Sequence, residues 1–366
     1  MKINRLNDIT LFQYIFFISQ VQIGVGIITL PSDLAEIAST DAWISIILGW
    51  LVANVVSLLI IHVMKDHPNE TIFDLLKRYF GKWLGGFGSL LFALYSLFVF
   101  SITLLSAIHL MQTWVLPQTA NYFLMILFFI PIYMLARYGI RMIARYTEIV
   151  QIGMILMLPL FFVSMKNGHF IHLLPVLKEG WLPILKGTKT TVLSFLGFEF
   201  AFVLYPFLQK KQQAGKGIII ANTITLFVYL LVTIACFVEF NPYQVSTYIW
   251  PTLDLFETIE FPFVERIEVI FAAFYLFLIS SSGIPYYFVS IVGFSQVIPY
   301  TNHRQVLQVL TGGFIILSFV YNPTFHQVST MQKWGGHIGL VVSYLFPFCL
   351  WLYVRTIGEH QMRMDR

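Results

Sequence analysis

The residues best placed to do chemistry sit at two interruptions of otherwise apolar sequence. The first is Gly24-Val25-Gly26-Ile27, with Pro31 close behind; the second is Leu196-Gly197-Phe198-Glu199, followed by Pro206. A chain that crosses a bilayer gives up backbone hydrogen bonds only where the freed groups face a cavity, water or a ligand. Gly24 and Gly26 permit an unwound turn and let a ligand approach the backbone closely. A half-helix beginning near Ile27 then offers free N–H groups and its positive dipole end, a seat for a carboxylate. The chemistry expected is recognition of a small zwitterion. Close packing of small residues is the competing reading of the glycines, and the second break tips the balance toward binding.

Glu199 is the one carboxylate in the second interrupted stretch, and an ionisable group in a membrane interior is a functional candidate by default. Three roles are open to it: pairing with a substrate ammonium, holding a proton, or capping the freed N–H groups of the half-helix that follows. Tyr95 and Val99 lie one turn apart on a shared helix face, as do Ser282 and Tyr286. Hydroxyls and an aromatic wall suit a small zwitterion, although for any one of these residues ordinary helix packing is the commoner role. Pro285, within Ser280-Ser281-Ser282-Gly283-Ile284-Pro285, frees a carbonyl four residues back, for an ion or for a kink.

The elements that must position these groups are membrane helices. The chain has 366 residues, 58% of them hydrophobic and 11% charged, too little polar surface to cover a water-soluble fold. At about 20 apolar residues per crossing, ten spans are expected, near 10–31, 43–64, 84–110, 121–136, 146–164, 188–208, 217–239, 264–294, 305–321 and 335–356. The first is too long for a cleaved signal peptide and is expected to stay. The two breaks fall at corresponding places in two five-helix halves, about 8–165 and 186–357 of a single transmembrane domain over 1–366. Paired broken helices point to an inverted-repeat fold with its site at the midplane.

Orientation follows the Lys and Arg residues. With the N-terminus inside, sixteen of the 22 lie on the inner side and six on the outer, which places both termini in the cytoplasm. The net charge of +4 then reflects orientation, and no nucleic-acid partner is expected. Arg137, Arg141 and Arg145 form an inner stripe suited to anionic headgroups or to a further subunit. Nine scattered histidines and two cysteines, Cys236 and Cys349, show no ligand or redox spacing, so no metal or cofactor is expected. No Walker loop, nucleophile elbow or hydrolytic triad occurs, so the chain is not read as an enzyme. The stretch from Pro251 to Pro262 suits a short amphipathic helix on the outer side, as a lid or an interfacial helix.

Four segments carry a family resemblance: Leu6-Asn7-Asp8-Ile9-Thr10-Leu11-Phe12-Gln13, Gly24 to Pro31, Gly197-Phe198-Glu199, and Trp250-Pro251-Thr252-Leu253. Together they resemble the B subunits of GerA-type spore germinant receptors. The resemblance implies an all-α fold of the amino-acid/polyamine/organocation transporter superfamily, with broken helices 1 and 6, in the inner membrane of a bacterial endospore. It implies a germinant as ligand, commonly an amino acid, and an A subunit and a C-subunit lipoprotein as partners. Carried over by position, the pocket comprises Gly24, Val25, Gly26, Tyr95, Val99, Leu196, Gly197, Phe198, Ser282 and Tyr286. Some proton-coupled relatives use a lysine in the fifth span, and here nothing basic lies between Arg145 and Lys166. The expectation is therefore a ligand sensor, ahead of a proton-coupled secondary amino-acid transporter working through Glu199 and of an ion-conducting or scaffolding subunit.

Overall fold

A computed structural model describes residues 8–24, 26–166, 168–259, 266–298 and 301–364. Leu6, Asn7, Val25 and Pro262, singled out above, lie outside the described residues. The described chain is helical, apart from one isolated β-bridge between Ile9 and Leu208.

The first interrupted span is two helices, α1 (Leu11–Ile23) and α2 (Gly26–Ala38). Thr10 starts α1 with a reciprocal cap: its hydroxyl accepts the Gln13 N–H at 3.2 Å, and the Gln13 side chain accepts the Thr10 N–H at 3.0 Å. The chain turns at Ser39–Asp41 into α3 (Ala42–Asp66). That turn is a reversal, as α7 (Trp181–Ser194) records. Toward its end α7 meets α2 at Gly26 and α3 at Gly49; further back it meets Ala38 and Ser45. Residues 26–66 are thus two antiparallel rods.

The third span, α4 (Ile72–Trp114), starts earlier than expected and bends at Gly81, where φ is +76°. Gly85 packs directly on the Leu76 backbone, so residues 72–80 fold back along the span. A short pair, α5 (Asn121–Tyr138) and α6 (Ile140–Ser164), follows. After α7 the chain breaks and resumes through Phe198–Phe207, bent by 41° and containing α8 (Ala201–Leu204).

Then come α9 (Ala214–Glu239), α10 (Pro242–Val245), α11 (Pro251–Glu257), α12 (Ile267–Val297) and α13 (His303–Val320). The last crossing is α14 (Phe325–Gly339), a widened π-helical turn at Leu340–Leu345, and α15 (Phe346–Met364). Among the described residues eight helical runs are long and apolar enough to cross a membrane, and nine if the bent pair at α7 counts as one. The broken elements sit at the centre, between α3, α6, α9 and α12. The apolar faces of α5 and α13 look outward, as lipid-facing helices do.

Candidate functional site

The breaks touch. At the first, hydroxyls from two other helices bond the backbone carbonyls: Ser282 to Val21 at 2.9 Å, Tyr229 to Gln22 at 2.7 Å and Tyr275 to Gly24 at 3.3 Å. Gly24 is required by that closeness, because a Cβ there would lie 2.9 Å from the Ser282 Cβ.

At the second break Gly197 has φ +128°, a conformation open to glycine, and it sits against Val21 and Gln22. Phe195 gives its carbonyl to the Gln22 amide at 3.1 Å, Ser194 to the Tyr229 hydroxyl at 3.0 Å, and Val192 to the Tyr344 hydroxyl at 2.8 Å. Tyr229 therefore bridges the two breaks, and Gln22 ties the first to the second. Gln22 also donates to Asn222 at 2.8 Å and accepts from Thr225 at 2.6 Å, and Asn222 continues to Asn54 and Ser57 on α3. Each member of this network is buried, so its bonds are worth more than surface ones and costly to orphan.

Glu199 is 1% exposed. One carboxylate oxygen accepts the Gly197 N–H at 2.7 Å and the other accepts the Tyr286 hydroxyl at 2.7 Å. The Gly197 N–H belongs to the break itself, not to the half-helix that follows, so the carboxylate closes a two-residue turn at the break. The Tyr95 ring meets Tyr286 edge-on, with centroids 6.2 Å apart. The buried Tyr95 hydroxyl stands beside Tyr286, Glu199 and Ser343, yet makes no hydrogen bond of good geometry.

Above these groups lies a cavity of about 620 Å³. Six of the expected residues line it: Gly26, Tyr95, Val99, Leu196, Ser282 and Tyr286. Gly24, Ile27, Gly197, Phe198 and Glu199 do not. They are packed behind the wall, Phe198 with its ring edge-on to Tyr344 at 5.0 Å. Val25 lies outside the described residues.

The cavity continues toward the α2–α3 turn between α2 and α14, past Thr29, Ser32, Asp33 and Glu36 on one side and Gln332 and Lys333 on the other. None of these was expected from the sequence. Their signal was present in Thr29, Ser32, Asp33 and Glu36, which recur at one-turn intervals on a single face of an otherwise apolar helix. On the opposite side the chain is shut. The Ile9 N–H bonds the Phe207 carbonyl at 2.8 Å, the Gln209 N–H bonds Ile9 at 3.1 Å, and Phe17 packs on Phe200.

Comparison with known proteins fits this geometry. The family model described as "Spore germination protein" matches residues 8–326. Spore germination protein GerQB of Bacillus cereus is 28% identical over 93% of this chain and 94% of its own. Spore germination protein YndE of Bacillus subtilis is 30% identical over 80% and 81%, and spore germination protein A2 of the same species 26% over 94% of each. Among solved structures, Mhp1, a nucleobase-cation-symport-1 family transporter in a closed conformation with bromovinylhydantoin bound, superimposes with a TM-score of 0.63. That match covers 92% of this chain and 77% of Mhp1 at 12% identity, a likeness of fold alone. This multi-pass membrane protein belongs to the spore germination protein family.

Proposed function

We propose that the chain is the germinant-sensing membrane subunit of a spore germination receptor. The observation that carries this is the cavity of about 620 Å³ at the meeting of two helix breaks, lined by Gly26, Tyr95, Ser282 and Tyr286. An amino acid or comparable small nutrient enters from the side of the α2–α3 turn, which the Lys and Arg distribution makes the outer side. Its carboxylate sits on the N–H groups that open α2, which have no partners within the helix. The break carbonyls are already occupied by side chains, so the ammonium faces hydroxyl oxygens of Ser282, Tyr286 and Tyr95. Differential affinity for two arrangements of the broken helices shifts their populations and signals to an A subunit and a C-subunit lipoprotein. Both termini lie in the cytoplasm, Arg137, Arg141 and Arg145 face anionic lipid, and the membrane is the inner one of the endospore.

The same reading takes the fold as ten spans in two inverted repeats, with α1–α2 and α7–α8 as spans 1 and 6. Reciprocal packing supports it: span 1 on span 7 is matched by span 6 on span 2, and span 5 on span 8 by span 10 on span 3. The alternative, a proton-coupled amino-acid transporter working through Glu199, needs that carboxylate to reach the ligand, whereas it lies behind the cavity wall, bonded to the Gly197 N–H and the Tyr286 hydroxyl.

Val99→Trp fills the cavity without touching the hydrogen-bonded frame of the breaks. In spores with normal levels of the protein, the substitution should abolish the response to germinant; an unchanged response would sink the site. Accumulation of a labelled amino acid in proteoliposomes, collapsed by an uncoupler, would establish the transporter instead.

A further inference from the structure

The segment Trp250-Pro251-Thr252-Leu253 has no role in a pocket considered alone. It begins α11, which packs on α2, α9 and α12. Leu253, Leu255 and Phe256 are fully buried, and Phe256 stacks on Phe271 of α12 with ring centroids 4.0 Å apart. Thr252 is buried as well, and its hydroxyl donates to the Ile27 carbonyl in the first turn of α2 at 2.8 Å.

The identity of that acceptor follows from Pro31. In an α-helix the Ile27 carbonyl takes the N–H four residues on, and a proline at position 31 has none. Thr252 supplies the missing donor from 225 residues away. The bond thus repairs the one rung that Pro31 removes, at the point where α2 leaves the break.

We propose that Thr252 is a positioning residue that fastens α11 to α2 so that the two move as one body. α11 is then a strut on the wall of the ligand chamber and not a lid that opens apart from it. Movement of the outer half-helix is carried through α11 to α9 and α12, on which α11 packs, and to α14, whose Phe325 meets Trp250 edge-on at 5.8 Å. The proposal rests on the reading of α2 as a chamber wall, but its test needs no ligand, so its failure would leave ligand binding untouched.

The test is hydrogen exchange, read by mass spectrometry, on the full chain in detergent micelles. Thr252→Val keeps the shape and removes the donor. It should speed exchange of residues 28–38 and 251–257 together by on the order of ten-fold, the worth of one buried hydrogen bond. Thr252→Ser, which keeps the donor, should stay within about two-fold of wild type. Pro31→Ala restores an N–H for Ile27, and in that background Thr252→Val should change little. The proposal is overturned if Thr252→Val loosens α11 while α2 is unchanged, or if its effect persists undiminished with Pro31→Ala. Should Thr252→Val alone fail to fold, the double variant is expected to fold, and its equal failure also overturns the proposal.

Discussion

At the first break the carbonyls of Val21, Gln22 and Gly24 are taken by hydroxyls on α9 and α12. At the second, the Gly197 N–H is taken by Glu199, a carboxylate two residues along the same chain. The second break therefore carries part of its support in its own sequence and keeps its local shape when neighbours move. The carbonyls of both breaks are held by donors from elsewhere, but the first has no such local bond and changes its bonding whenever α1 shifts against α9 or α12. Of the two, the first is the one suited to respond to a ligand, and the second is the fixed reference against which it moves.

The largest effect should come from attacking the local turn. Glu199→Ala orphans the Gly197 N–H and the Tyr286 hydroxyl together, at about 1–3 kcal/mol each, and should sharply lower the unfolding midpoint of the purified protein. Glu199→Gln, which keeps one acceptor, should cost about half as much. Tolerance of Glu199→Ala would erase the contrast between the breaks.

Next is Tyr229→Phe, which removes the donor shared by Gln22 and Ser194. A loss of about 2 kcal/mol is expected, read by thermal unfolding. It should be accompanied by faster hydrogen exchange around residue 22 than around residue 199. Equal loosening of both sites would show that the second break is no more self-supporting than the first.

The smallest effect concerns α11, the strut on the first break. Burial, with Glu257 nearby, raises the carboxyl of half-buried Asp254 from 3.8 to about 6. A raised folded value means that the protonated form is favoured in the folded state, so stability is present below the unfolded value and is lost as pH rises through about 6. Solvent screening of a half-exposed group limits this to less than about 1 kcal/mol. Protection of residues 251–257, taken relative to the intrinsic exchange rate at each pH, should therefore be greater at pH 5 than at pH 7, and Asp254→Asn should remove the difference. Protection in the wild type that does not change with pH would remove Asp254 from the account.

The breaks were legible in the sequence because glycine and proline seldom interrupt an apolar run unless the backbone there must leave the helix. So was the pocket face of Tyr95, Val99, Ser282 and Tyr286, since residues one turn apart share a face. What supports them was not. Gln22, Asn222, Asn54, Ser57 and Thr225 are single polar residues scattered through separate apolar segments, and only the fold assembles them into one network. The fold-back at Gly81 is hidden because Ile72–Phe80, with Asp74, Lys77 and Arg78 among its apolar residues, reads as an inner connection before the span, and the π-helical turn that brings Tyr344 to Val192 has no compositional mark. The role expected of Glu199 shows the same limit. Its type and depth identified it, but only the geometry shows that it closes the turn.

Thermal unfolding of the purified protein with millimolar amino acids, nucleosides and sugars, compared with Val99→Trp and Tyr95→Phe, addresses the claim that the cavity between the breaks is a ligand site. Compounds present at 100 times their dissociation constant stabilise by about 2.7 kcal/mol, several degrees in the midpoint. The expected result is at least one compound that raises the wild-type midpoint, does nothing to Val99→Trp and does less to Tyr95→Phe, with ligand-free midpoints nearly equal. A compound that stabilises Val99→Trp as fully as wild type, or a panel that leaves wild type unmoved, would contradict it.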